Sequence, residues 1–149
     1  MTHPISTTYL DQQQARVSAV LPAAGAWDTA PIEMPCAGFT HVTLYFSYTE
    51  GEQAATGALG WKYETAPDYD GSVWHQSAIY ASGAVASGSD TTSNEQREDK
   101  EYGATGATIE RWSEGPIALE AGAELIRVFC RENGVVGTPG IAEVEARFS

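Results

Sequence analysis

Few side chains in this sequence combine the type and the spacing that chemistry needs. Asp68 and Asp70, in PDYDGSVW, are spaced like two oxygens of a calcium loop. An EF-hand loop also needs ligands at further fixed offsets and a closing bidentate Glu, which are missing, so a structural turn is expected there. The three histidines, at 3, 41 and 75, form no paired-His helix, and no Cys-x-x-Cys spacing occurs, so no zinc site is expected. Glu50 and Glu52 are close enough in sequence to flank a glycosidic bond, but a chain with 20 acidic residues produces such pairs by chance, and a solvated turn is the simpler reading. Neither a Gly-x-Ser-x-Gly elbow nor a glycine-rich phosphate loop is present. The expectation is a protein that binds or builds, with no catalytic residue, no metal and no cofactor.

The aromatic and arginine residues are the better candidates for function. Tryptophans at 27, 61, 74 and 112 and seven tyrosines could supply platforms for sugar rings. Trp61 shares a strand face with Leu59 and Tyr63 and is expected in the core. Trp27 and Trp112 lie beside loops, Tyr45 falls on the outer face of its strand, and Arg127 and Arg131 fall on the outer face of theirs. These five are the interface or stacking candidates.

Period-two patterns place these side chains. FTHVTLYFSYT puts Val42, Leu44, Phe46 and Tyr48 on an inner face and His41, Thr43, Tyr45 and Ser47 on an outer one. ARVSAVL puts Val17, Ala19 and Leu21 on one face, and Pro31 and Pro35 confine the next extended piece to a rim. ALGWKYE reads as a strand, and Asp70-Gly71 as a hairpin turn returning through VWHQSAIY. Residues 81–107 read as a long loop that could hide a strand at 98–102. TIERW, PIAL, ELIRVFCRE and GIAEVEARF follow as separate strands. In the last two, Ile126, Val128 and Cys130 face inward, as do Val144, Ala146 and Phe148. If they pair, Arg127 and Arg131 would meet Glu143 and Glu145. Many short strands without helical period indicate an all-β, antiparallel β-sandwich of jelly-roll-like form.

The totals bound the rest. The 149 residues fit a single domain, read as a sandwich over 15–149 preceded by a polar N-terminal arm over 1–14, loose in the monomer. The formal net charge of -12 repels phosphate backbones and anionic lipid, so neither nucleic acid nor membrane is expected as a partner. No stretch approaches the roughly 20 apolar residues that cross a bilayer. Cys36 and Cys130 are the only cysteines, and buried reduced thiols are the simpler expectation than a bridge.

The segments LYFSYTEG, SGSDTTSNEQRE and GPIALEAGAELIRVFCRENGVVGTPGIAEVEARF resemble small virion proteins of tailed bacteriophages, the class that includes capsid decoration proteins. The likeness spans residues 25 to 149. It implies a sandwich or jelly-roll module that is made in the host cytoplasm and sits on the capsid surface. It implies binding to the major capsid protein or another virion protein, and a homo-oligomer, with a trimer favoured. The arm would then add a strand to a neighbouring subunit. A carbohydrate-binding sandwich is the alternative reading, and the two differ in whether the exposed surface is a dry interface or an aromatic strip.

Overall fold

The computed structural model describes residues 10–23, 25–51, 59–76, 95–97, 109–132 and 137–149. Among these the chain forms strands β1 (Gln12–Val20), β2 (Met34–Pro35), β3 (His41–Thr49), β4 (Leu59–Ala66), β5 (His75–Gln76), β6 (Glu95–Arg97), β7 (Ile109–Ala118), β8 (Leu125–Glu132) and β9 (Ile141–Phe148). One sheet has the order β1-β9-β3-β7, and the second has the order β2-β8-β4-β5, with β6 also on β4. All pairings are antiparallel.

The connectivity is that of one long hairpin rolled up. The first strand pairs with the last, β2 with β8, β3 with β7, and β4 with β5 and β6 in turn. This is the jelly roll, in which two sheets close over one core. Inner positions obey the period of two. Val42, Leu44, Phe46 and Tyr48 from β3 and Ala142, Val144, Ala146 and Phe148 from β9 meet Leu59, Trp61 and Tyr63 from β4 and Ile126, Val128 and Cys130 from β8. Phe46 sits between Trp61 and Trp112, with ring centroids 5.0 and 5.2 Å away. Burying a large apolar side chain contributes roughly 1.5–3 kcal/mol, so this layer is the main stabilising element.

Several expectations need correction. The first strand begins at Gln12, not Arg16, because Gln12, Gln13 and Gln14 pair with Arg147, Ala146 and Glu145; residues 1–9 of the expected arm lie outside the described residues. Val17 is 55% exposed, and Ala15 and Leu21 are the buried residues, because register shifts on either side of Arg16 break the alternation. TIERW and PIAL are one strand, β7, with a shift opposite Val42 and Leu44. Gly115 makes that continuity possible: its φ is 138°, and a Cβ there would lie 2.9 Å from the Thr43 Cα. Pro116 falls at the register shift of β7, an edge strand of the described sheet, the kind of position where proline is tolerated.

β8 and β9 lie in different sheets, so Arg127 and Arg131 never meet Glu143 and Glu145; the two sets face away from the core on opposite sides. Glu50 is buried rather than solvated, while Glu52, His3, most of the 81–107 loop and its expected strand at 98–102 fall outside the described residues. Asp70-Gly71 does turn the chain, with Gly71 at φ 63°, but the return runs through a longer loop into β5. No described helix is long and apolar enough to cross a membrane.

Cys36 and Cys130 are free, buried thiols. Burial raises both pKa values, helped by Glu124 and Glu120 at Cys36 and by Asp28 at Cys130, and Cys36 is pushed up to about 11 from 9.0. Because the folded-state value lies above that of the unfolded chain, the protonated thiol's stabilising share is complete below pH 9 and is lost as pH rises toward 11. Urea unfolding should therefore show a fall in stability across that interval that is shallower in Cys36→Ala. Below pH 9 both thiols should resist a disulfide reagent until denaturant is added, and fast labelling of the folded protein would contradict this burial.

Candidate functional site

Three regions outside the core gather polar or aromatic side chains, and each follows from the local strand geometry. The first is the β1 edge. The Arg16 guanidinium grips Asp28 in a fork, with Nε donating to Oδ2 at 2.9 Å and NH2 to Oδ1 at 3.1 Å. NH1 also donates to the carbonyls of Ala142 at 2.6 Å and Ala19 at 3.0 Å. Asp28 in turn accepts from the Cys130 backbone N–H at 2.9 Å. One clasp therefore joins β1 and β9 of the first sheet to β8 of the second. Beside it the bulged strand and the 28–32 loop wall a cleft of about 300 Å³, lined mainly by Ala, Val, Pro and Ile. Val17, Val20 and Ile32 contribute to its lining and are 55%, 58% and 37% exposed.

The second region is the outer face of the second sheet. Cations and rings alternate along it: Arg131 lies over Trp27, Lys62 over Trp27 and Phe129, and Arg127 over Phe129 and Trp74, at 4.1 to 5.1 Å from ring centroids. Arg127 also pairs with Glu64 at 2.6 Å. Such contacts stabilise by ~0.5–1 kcal/mol when exposed and about 2 kcal/mol when desolvated. Trp27, Arg127 and Arg131 are thus brought together, but they hold one another and the loops that cover β4 and β8.

The third region is the outer face of the first sheet, where Tyr45 and Trp112 of the sequence candidates line a groove of about 680 Å³ with Ser47, Arg111, Ser113, Glu143, Glu145 and Arg147. Register sets the pattern. Glu145, Tyr45 and Ser113 form one row across β9, β3 and β7, and Glu143, Ser47 and Arg111 form the next. Tyr45 is 47% exposed. Trp112 only borders the groove, since its ring stacks on Phe46 with a 10° interplanar angle.

One buried group escaped the sequence reading. Glu132 is fully buried, and its carboxylate accepts from the Tyr48 hydroxyl at 2.7 and 2.9 Å and from the Gly140 N–H at 2.8 Å. A side chain at 140 would collide with the Thr49 carbonyl and the Tyr48 ring, so only glycine lets that N–H come so close. The signal was the parity of ELIRVFCRE, which continues inward from Cys130 to Glu132.

The remaining acidic candidates serve a turn. Asp70 accepts from the Ser72 N–H at 3.1 Å, and Asp68 from the Ser72 hydroxyl at 3.3 Å. Among the described residues no group of three His, Cys, Asp or Glu side chains could hold a metal ion.

The fold and these regions define the class: an all-β sandwich with one apolar edge cleft and one charged groove. No protein-family model matches the chain, and neither a curated protein nor a solved structure matches it.

The clasp carries a measurable load. Arg16→Met should lower the unfolding free energy by about 3 kcal/mol, because it strands the largely buried Asp28 carboxylate. Arg16→Lys should recover less than half, since an ammonium cannot fork. A loss below about 1 kcal/mol in urea titration would mean that the edge is held by packing alone.

Proposed function

We propose that this chain is a non-enzymatic structural protein of a virion, a capsid decoration or other head-associated protein, that joins its neighbours through the β1 edge. The observation that carries this reading is the exposed apolar pair Val17 and Val20 at a preformed cleft beside an edge strand. Soluble chains blunt or cover such edges, and a contiguous apolar rim on one marks a docking surface. The clasp supports it further, because both walls of the cleft are fixed before any partner arrives, which lowers the ordering cost of association.

The jelly roll adds weight by analogy alone, since viral coat proteins and lectins both use it. The net charge of -12 disfavours the packaged nucleic acid as a partner and favours a protein surface of the shell. In this reading the chain is made in the host cytoplasm, assembles as a closed homo-oligomer, preferably a trimer, and contacts the major capsid protein or another virion protein.

Light scattering on the purified chain should give a discrete trimer, and Val17→Asp with Val20→Asp should give a folded monomer by circular dichroism. A wild-type chain that stays monomeric at every concentration would remove the self-association. Mass spectrometry of particles from the source culture should find the chain in a fixed ratio to the shell protein; its absence from particles would sink the virion reading.

A further inference from the structure

The groove on the first sheet shares no lining residue with the β1 edge cleft and has a chemistry of its own. Its volume of about 680 Å³ falls within the ~300–1,000 Å³ of small-molecule sites. Tyr45 lies on β3, the middle strand of the three that form the groove, so its half-exposed ring stands at the centre. Around the ring stand two guanidiniums, Arg111 and Arg147, and two carboxylates, Glu143 and Glu145. Glu143 accepts from Gln14 at 2.9 Å through one oxygen. Arg111, Arg147 and Glu145 form no ion pair or hydrogen bond through their charged groups among the described residues.

We propose that this groove binds a neutral oligosaccharide, with one sugar ring against Tyr45 and its hydroxyls held by the surrounding arginines and glutamates. The C–H face of a pyranose is apolar and flat enough to cover a tyrosine ring, while its rim carries neighbouring hydroxyls that both donate and accept. Planar carboxylates accept two such hydroxyls at once, and guanidiniums donate to two at once. The pairing of chemistries on the wall therefore matches a polyol.

Charge selects the neutral class. Two cations and two anions cancel, so a phosphate or a uronic acid would gain at the arginines and lose at the glutamates, within a chain already at -12. The same wall argues against a protein partner, because interface cores are depleted in glutamate and rich in aromatic and apolar side chains. Here the exposed ring of Tyr45 stands among four charges, while Phe46 and Trp112 of the lining stack on each other. The groove does not depend on the virion reading, and a monomer would carry it equally.

The test is a printed array of neutral and acidic glycans probed with the whole labelled chain, followed by calorimetric titration of any ligand found. Binding to neutral hexose-containing glycans is expected, weakened at least about tenfold by Tyr45→Ala and by Arg111→Ala. Tyr69→Ala, which alters an exposed tyrosine elsewhere, should leave it unchanged. Tyr45 and Arg111 project from the surface, so both variants should keep the wild-type circular dichroism spectrum. No signal on any glycan, binding to acidic glycans alone, or full binding by folded Tyr45→Ala would each overturn the assignment. The oligomer measurement bears on a different surface, so failure of one reading leaves the other standing.

Discussion

The fork between Arg16 and Asp28 is where the two sheets of this molecule are made into one object along their open side. A sandwich holds together through its core, to which β1 and the residue after it contribute Ala15 and Leu21. At the β1 edge a single guanidinium reaches carbonyls of β1 and β9, and its carboxylate partner receives the backbone of β8. The bulges around Arg16 follow from this demand, because a regular alternating strand would point the residue either into the core or into solvent. The misaligned register is what exposes Val17 and Val20 and opens the cleft beside them.

Sequence pattern was most legible where a strand has one wet face and one dry face. β3 and β9 are the plain examples, and their inner residues follow directly from alternation. The second sheet was harder to read because its outer face is also covered: Lys62 and Phe129 are buried although they alternate with core residues. β1 began earlier than expected because three glutamines carry no hydropathy signal, while their backbones pair as well as any others. The partition of β8 and β9 between sheets was invisible because pairing in a rolled hairpin is decided by topology across the whole chain, and neighbours in sequence become neighbours across the core. Charged side chains hid two further facts: Glu132 was passed over at an inward position, and Arg127 found Glu64 instead of the C-terminal glutamates. Of the sequence candidates, Tyr45 stands in the groove, Trp112 packs against the core at its border, and Trp27, Arg127 and Arg131 share the outer face of the second sheet.

The two outer faces contrast in what they do with charge. On the second sheet cations are stacked on rings and paired, so the face is consumed by internal contacts and holds down the loops at 27 and 74. On the first sheet charges of both signs stand apart around a tyrosine. Among the described residues Arg111, Arg147 and Glu145 make no ion pair, and such a surface forgoes the small stabilisation of surface pairs, typically below about 1 kcal/mol each. That arrangement leaves polar groups ready for a ligand without reorganising the backbone beneath them.

The pairing of first strand with last also orders events in time. β9 lies between β1 and β3, and among the described residues β1 has no other strand partner. During synthesis the chain therefore carries β1 and one side of β3 as open edges until residues 141–148 emerge. The sheet cannot close gradually from its beginning, and its completion coincides with the arrival of a segment made more than a hundred residues after β1. Contacts of such long sequence separation place this molecule among slow-folding β topologies.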